Sequence, residues 1–311
     1  MVKESAKKWL KTAVHGPAIE KEKYLSNKNV SHYTSAEVAI NILRYKEIWM
    51  RNAYVMNDYS EIQHGEKCLE AAWQSDAGKR FWELLDQGVP GLSASIKKIH
   101  LDDHLAFRSK THIACFSEHG SHESNLGRLS MWRAYGGENS VALVFKPSFL
   151  FPQEKEPRSD APDVNVAPVF YQTPLEFTYS FKVMAKKFEE NLQYLGHLNG
   201  SEVANALLNR FRFTVLSTKH PGFIEEKEIR LIVNPGFKEN MEVNSDVKAI
   251  NGVPQIIYKF TLDVLNDLDH IIIGPCRYPV AIFDAFVSEL SKIGFKEPKE
   301  KVVISEIPLR R

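Results

Sequence analysis

The spacing of apolar residues changes along the chain between the period of a helix and that of a strand. Helices are indicated where apolar residues recur every three or four positions, and strands where they alternate with polar residues or run together. Helices are predicted at 4–14, 36–45, 61–107 with a break at 88–92, 125–135, 175–197, 201–217 and 279–294. Strands are predicted up to residue 35 and at 46–50, 111–117, 140–146, 228–233, 256–261, 270–273 and 302–307. This mixture predicts an α+β fold in which early and late strands share one mixed sheet.

The same pattern gives the domain organisation. Residues 1–28 are predicted to form an N-terminal helical extension, whose helix is closed by His15-Gly16-Pro17, and residues 29–311 a single α+β domain. The Pro-rich, charged stretch 151–168 has no periodicity and is predicted to be a surface loop. We find no internal repeat and no linker that would divide the chain further.

Composition narrows the class of protein. The 311 residues are 43% hydrophobic and 25% charged, as in globular proteins, and 40 basic residues against 39 acidic ones give a net charge of +1. That balance provides no overall field for capturing DNA or an anionic membrane. The chain shows no signal-peptide apolar segment and no membrane-spanning run, so we expect a cytoplasmic protein without membrane contact. Cys68, Cys115 and Cys276 are too far apart for a Cys-x-x-Cys site and are expected to be reduced, with Cys115 a buried strand residue.

The densest group of ionisable side chains follows the turn at Pro221-Gly222. Because successive side chains of a strand point to opposite faces, Glu226, Glu228 and Arg230 are expected to project on one side together. Such a group is either the solvated face of an edge strand with a local ion pair, or a site in which two carboxylates and a guanidinium act together.

Other polar clusters also allow a structural and a functional interpretation. His32 and Tyr33 end an early strand, Ser117 ends a middle strand and either acts on a ligand or caps the next turn, and Trp132 and Tyr135 are either a buried aromatic pair or part of a site. The segment 56–61 is either the capped start of a helix or a further cluster of functional residues.

Five short motifs occur in a fixed order. They are His32-Tyr-Thr-Ser, Met56-Asn-Asp-x-x-Glu61, Cys115-Phe-Ser, Met131-Trp-x-x-Tyr135 and Glu226-x-Glu-x-Arg230. Together with Ile-Ile-Ile-Gly-Pro at 271–275, this set resembles a bacterial family known only as a domain of unknown function, number twenty-nine seventy-one, over about residues 30–275. Phe223, three positions before the Glu-x-Glu pair, and the order of His, Ser, Tyr and Glu also resemble the mono-ADP-ribosyltransferase superfamily.

The second resemblance implies a mixed-sheet core of ADP-ribosyltransferase type with helical insertions, and NAD as substrate. Cleaving the bond between nicotinamide and ribose passes through an oxocarbenium-like state, which requires negative charge near the ribose. The resemblance implies Glu228 for that charge and Glu226 for orienting or deprotonating the acceptor. The residues expected to bind NAD are His32, Tyr33, Thr34, Ser117, Trp132, Tyr135 and Arg230, with Lys219 or Arg230 either meeting the pyrophosphate or holding the glutamates.

The acceptor stays undecided between a protein and a nucleic acid, and an enzyme of this kind is expected to be a toxin or phage-defence effector with an antitoxin or immunity partner. Two alternatives of other classes remain. One is a metal-dependent nuclease that uses Asp58, Glu61, Glu226 and Glu228. The other is a non-enzymatic binding or regulatory module. Because no Gly-x-Gly-x-x-Gly or P-loop motif occurs, no other nucleotide-binding motif competes with the NAD hypothesis.

Overall fold

The computed structural model describes residues 2–55, 59–151, 164–235 and 244–308. Its helices are α1 (Val2–Leu25), α2 (Ala36–Tyr45), α3 (Tyr59–Gln74), α4 (Asp76–Gly88), α5 (Leu92–Lys110), α6 (Leu129–Ala134), α7 (Pro174–Glu190), α8 (Gly200–Leu216), α9 (Val264–Asp267) and α10 (Pro279–Ile293). Its strands are β1 (Asn29–Ser35), β2 (Glu47–Asn52), β3 (His112–His119), β4 (Ser140–Phe145), β5 (Asn165–Pro168), β6 (Phe170–Tyr171), β7 (Thr218–Lys219), β8 (Glu228–Val233), β9 (Ser245–Ile250), β10 (Val253–Thr261), β11 (Leu268–Ile273) and β12 (Val302–Ile304). The α+β class is confirmed.

Local sequence explains several of these boundaries. The side chain of Ser35 accepts a hydrogen bond from the backbone N–H of Val38, which caps α2. Thr173 and Glu176 form a capping box at the start of α7, immediately before the Pro that opens it.

Strands from both ends of the chain lie in one sheet, in the order β12-β11-β4-β1-β3-β2-β10-β9. From β3 the sheet branches, because β8 pairs with β3 and carries β5 on its other side. The pairing of β11 with β12 is parallel and the other pairings of this sheet are antiparallel, so the predicted mixed sheet is confirmed. A short parallel pair, β6 with β7, lies apart from it.

Strand β8 differs from the solvated edge strand that its charges suggested. It is held between β3 and β5, and all six of its residues are buried. The alternating side chains of β8 therefore face an apolar core on one side and a buried polar site on the other. The interpretation of this strand as a solvated face is wrong.

The N-terminal helix is longer than the sequence predicted. We expected it to end at 15–17, whereas α1 continues to Leu25. Ala6, Leu10 and Ala13 are buried in the core formed by the helices beside the sheet. The helix is therefore part of that core, because its apolar side chains are shielded by α7 and α8.

Four strands were not anticipated: the two-residue strands β6 and β7, and the longer β5 and β9. β5 lies inside the stretch 151–168 that we predicted to be a loop, and β9 alternates exposed and half-buried residues without a buried apolar face. Pairing with β8 and β10 supplies the hydrogen bonds that define them, and such long-range partners leave little trace in local sequence.

Among the described helices, none combines the length and the apolarity needed to cross a membrane. No disulfide bond joins Cys68, Cys115 and Cys276 within the described part of the chain.

Candidate functional site

A cavity of about 330 Å³ lies between the first strands of the sheet and the turn that precedes β8. Helix α2 and strands β1, β2 and β3 contribute most of its wall. Of the residues singled out from the sequence, it is lined by His32, Tyr33, Thr34, Tyr135, Glu226 and Glu228. Residues that are nearly 200 positions apart in the sequence therefore meet at one cavity, as the motif order predicts.

Behind the two glutamates lies a buried ion cluster centred on Lys219. The Lys219 ammonium contacts Glu226 at 2.5 Å, Glu61 at 2.6 Å and Glu228 at 3.1 Å, and its side chain is 2% exposed. An ammonium group has three donors, so these carboxylates account for all of them. Burial alone would lower the pKa of Lys219, but the charges of Glu228 and Glu61 outweigh it and raise the pKa.

Arg230 completes the cluster from β8. Its Nε donates to Glu228 at 2.7 Å, its Nη1 donates to the carbonyl of Leu216 at 2.7 Å, and its Nη2 donates to Glu61. Because Arg230 and Lys219 are directed at carboxylates and neither lines the cavity, the geometry supports their holding the glutamates rather than meeting a pyrophosphate.

The backbone between the two glutamates explains how both reach one cavity. Glu226 ends the 3-10 helix Pro221–Glu226, and Lys227 has a left-handed conformation with φ of 44° before β8 begins at Glu228. The chain thus turns sharply between them, so Glu226 is a turn residue. Of the three residues expected to share one face of the strand, only Glu228 and Arg230 lie in the strand, two positions apart.

Arg128 fixes this turn, and sequence reasoning missed it. Its guanidinium donates to the carbonyls of Glu225 and Glu226 at 2.8 and 3.0 Å and to the Ser117 hydroxyl at 2.6 Å. Glu123 accepts from the same guanidinium at 2.7 and 2.9 Å. None of the five motifs includes Arg128, and its signal in the sequence is a single arginine between the Cys-Phe-Ser and Met-Trp-x-x-Tyr motifs.

Ser117 and Trp132 lie behind the cavity wall. The Ser117 hydroxyl donates to the carbonyl of Glu226, and its side chain is fully buried. Trp132 donates to the carbonyl of Leu126 at 2.9 Å and packs against Tyr33 with ring centroids 4.7 Å apart. These positions do not match the predicted contacts of Ser117 and Trp132 with NAD, because neither side chain reaches the cavity.

Other aromatic residues face the cavity instead. Tyr135 is 38% exposed and donates to Glu226 at 3.3 Å, whereas Tyr45 and Trp49 come from α2 and β2. Tyr45 and Trp49 were not among the predicted site residues, since each fits the apolar pattern of its own element. Cys115, predicted to be a buried strand residue, is half-buried and lines the cavity.

His32 is held in one tautomer. Its Nδ1 lies 2.9 Å from the carbonyl oxygen of Cys115, and a carbonyl can only accept, so Nδ1 carries the proton. Burial lowers the pKa of His32, and the hydrogen bond to Cys115 opposes this without reversing it. A neutral ring with a protonated Nδ1 has a lone pair on Nε2 that can accept a hydroxyl proton.

The two cavity carboxylates have opposite pKa shifts. Burial by itself would raise the pKa of Glu228, but the charges of Arg230 and Lys219 outweigh it and lower the pKa to about 2. Burial also raises the pKa of Glu226, and the hydrogen bond from Lys219 does not compensate for burial together with the charge of Glu228. At neutral pH Glu228 is therefore firmly ionised, while Glu226 is the carboxylate more easily protonated.

The low pKa of Glu228 gives a stability prediction. A carboxyl whose pKa is lowered on folding stabilises the protein fully above its ordinary value of 4.5, and this contribution is lost as the pH falls toward 2. We expect urea unfolding of the wild type and of Glu228→Gln to differ most near neutral pH and to converge as the pH falls from about 4.5 toward 2. A difference that stays constant across this range would contradict the assigned ion pairs.

The residues of the nuclease alternative meet only in part. Glu61 from α3 joins Glu226 and Glu228, but the Lys219 ammonium occupies the space among the three carboxylates. Within the part of the chain that the structure describes, no group of three His, Cys, Asp or Glu side chains is arranged to hold a metal ion. Asp58, with Met56 and Asn57, lies outside the described residues.

Comparison with known proteins gives one family. The family described as Protein of unknown function (DUF2971) matches residues 131–231, which include the Met-Trp-x-x-Tyr and Glu-x-Glu-x-Arg motifs. No curated protein and no solved structure matches the chain. The predicted resemblance to this family of unknown function is thus confirmed over 131–231, and the resemblance to ADP-ribosyltransferases stays a prediction.

Proposed function

We propose that the cavity binds NAD and that the protein transfers ADP-ribose from it to a macromolecular acceptor. The observation that carries the proposal is the pair Glu226 and Glu228, two carboxylates on one cavity wall with opposite pKa shifts. Enzymes that cleave glycosidic bonds through an oxocarbenium-like state use such a pair, with one carboxylate kept ionised and the other exchanging a proton.

The proposed reaction breaks the bond between the ribose carbon and the nicotinamide nitrogen, and the bonding electrons leave with nicotinamide. The ionised Glu228 stabilises the positive charge that develops on the ribose. The acceptor then forms a bond to the ribose carbon and gives its proton to Glu226, whose raised pKa suits this step. Arg230 and Lys219 hold Glu228 in place and keep it ionised.

The rest of the wall provides contacts suited to a nucleotide. His32 Nε2 can accept from a ribose hydroxyl, since Nδ1 donates to Cys115. Thr34 lies two positions further along the same strand, and Tyr135 and Trp49 supply aromatic surface for a base or for nicotinamide. The volume of about 330 Å³ lies at the lower end of typical ligand sites, so part of the dinucleotide would extend to the surface.

NAD is expected to raise the melting temperature of the protein, whereas Mg²⁺ is not. A ligand that binds only the native state stabilises it by mass action, so about 100 times its Kd would add about 2.7 kcal/mol. The measurement is a thermal scan with NAD, with Mg²⁺ and with ADP-ribose. A shift with Mg²⁺ and none with either nucleotide would favour the nuclease alternative and refute the proposal.

The acceptor class is then identified with NAD labelled in its ADP-ribose part. Purified protein is incubated with this NAD and a cell extract, and the label is followed into the protein, DNA and RNA fractions. Label in one fraction, lost with heat-inactivated protein, identifies the acceptor. The expected role as a toxin or defence effector, with an antitoxin or immunity partner, depends on this result.

A further inference from the structure

A second cavity, of about 210 Å³, lies among the helices beside the β6–β7 pair. Helices α1, α3, α7 and α8 contribute most of its wall, which is largely apolar. The apolar lining includes Val14, Leu69, Phe170, Phe177, Phe181 and Met184. A cavity with this lining favours a hydrocarbon or aromatic ligand.

Two cations also line this cavity. Arg210 comes from α8 and Lys187 from α7, and both are half-buried. Within the described part of the chain, neither side chain has a hydrogen bond or an ion pair. On the same helix as Arg210, by contrast, Arg212 is paired with Asp103 at 2.7 Å.

An unpaired guanidinium in such surroundings is unfavourable. Burial lowers the pKa of Arg210 to about 10, and no neighbouring anion opposes the shift. Because desolvating a charge costs free energy unless an opposite charge compensates it, this position calls for an anion.

The other polar groups of the wall do not provide that anion. The hydroxyl of Ser217 donates to the carbonyl of Phe213 at 2.7 Å, and the hydroxyl of Thr218 donates to the carbonyl of Thr214 at 2.7 Å. The remaining polar residues of the wall, Gln172, Ser180 and Thr214, are uncharged. The two cations are therefore the charged groups available to a ligand, and the ligand must also present an apolar part to the aromatic wall.

We propose that this cavity is a second binding site, for an amphipathic anion whose carboxylate or phosphate head pairs with Arg210 and Lys187 and whose apolar body fills the space between α3, α7 and α8. The site is independent of NAD chemistry. It adjoins the ion cluster, because Phe170 pairs with Thr218 and the next pair in register is Tyr171 with Lys219. Side chains of the first pair line this cavity, while Tyr171 and Lys219 contact Glu228.

The test uses octanoate, octyl phosphate and uncharged octanol with the full-length protein. We expect octanoate or octyl phosphate to bind in titration calorimetry, and octanol to bind at least roughly tenfold more weakly, because it cannot form charge-assisted hydrogen bonds with the two cations. Whichever head group binds more tightly identifies the source as carboxylate or phosphate. Equal affinity for octanol would overturn the proposal, because the cations would then have no role.

Arg210→Met keeps the apolar stem and removes the charge. We expect this variant to lose roughly tenfold or more in affinity for the anion and to melt no lower than the wild type, since an unpaired buried charge has been removed. Lys186→Met is the matched control, because this neighbouring side chain is 74% exposed and lies outside the cavity. Unchanged affinity in Arg210→Met would place the ligand elsewhere, and a lower melting temperature would reveal an anionic partner of Arg210; either result refutes the site.

Discussion

Glu228→Gln is expected to lower NAD cleavage by a factor of roughly 10² or more, measured as nicotinamide release. The substitution keeps the shape of the side chain and removes the negative charge that Arg230 and Lys219 hold at the cavity wall. Glu226→Gln is expected to behave differently. It should suppress transfer to the acceptor but leave slow hydrolysis of NAD by water largely intact, because its proposed task is to take the proton of the acceptor.

Glu225→Gln is the matched control for both substitutions. Glu225 is the preceding residue of the same turn, its side chain is exposed, and only its backbone carbonyl contacts Arg128. This variant should keep both activities. If Glu226→Gln and Glu228→Gln also keep both activities in well-folded protein, the pair has a structural role and the transferase proposal fails.

Burial of the cluster changes the expected stability of these variants. If both glutamates lay on a strand face lining an open cleft, replacing either would cost little stability. The Glu228 side chain is instead 6% exposed and pairs with two cations, so Glu228→Gln leaves buried positive charge less compensated. Activity must therefore be compared at a temperature where both proteins are folded.

Much of the fold was predictable because its elements carry their own periodicity. The β1–α2–β2 unit follows from the Ser35 cap and the apolar spacing of 36–45, and α10 from a similar pattern closed at Gly294. β5 and β9 were missed because four to six residues without a regular apolar alternation do not distinguish a strand from a loop. Their existence depends on partners that lie far away in the sequence.

The site was predictable only in part, for a related reason. From the order of the motifs we could predict that His32, Tyr135 and the glutamates lie at one cavity. Each of these residues lies in or beside an element whose position the sheet determines. Local spacing could not show that Glu61 contacts Arg230 across 169 positions, or that Arg128 clamps the turn at Glu226. Likewise, aromatic spacing did not distinguish Trp132, which is buried, from Trp49, which lines the cavity.

Lys219→Met is expected to destabilise the protein more than any other single change in the cluster, by roughly 3–5 kcal/mol near neutral pH. The substitution leaves Glu61, Glu226 and Glu228 close together with Arg230 as the remaining described cation in contact with two of them. Urea unfolding gives the loss directly. Lys186→Met serves as the control, because that lysine is 74% exposed and should change the free energy of unfolding by less than about 0.5 kcal/mol.

Two further measurements assign this loss to the carboxylates. Glu226→Gln in the Lys219→Met background should recover part of the stability, because it removes one of the repelling charges, and the double-mutant cycle isolates that term. Lowering the pH toward about 5 should also reduce the loss of stability in Lys219→Met. Crowded carboxyls that lack the Lys219 charge are more easily protonated in the folded state, and their protonation removes the repulsion between them. If the loss in free energy of unfolding stayed the same with the second substitution and at lower pH, Lys219 would contribute through packing alone. The ion cluster would then no longer explain how Glu226 and Glu228 are held at the cavity.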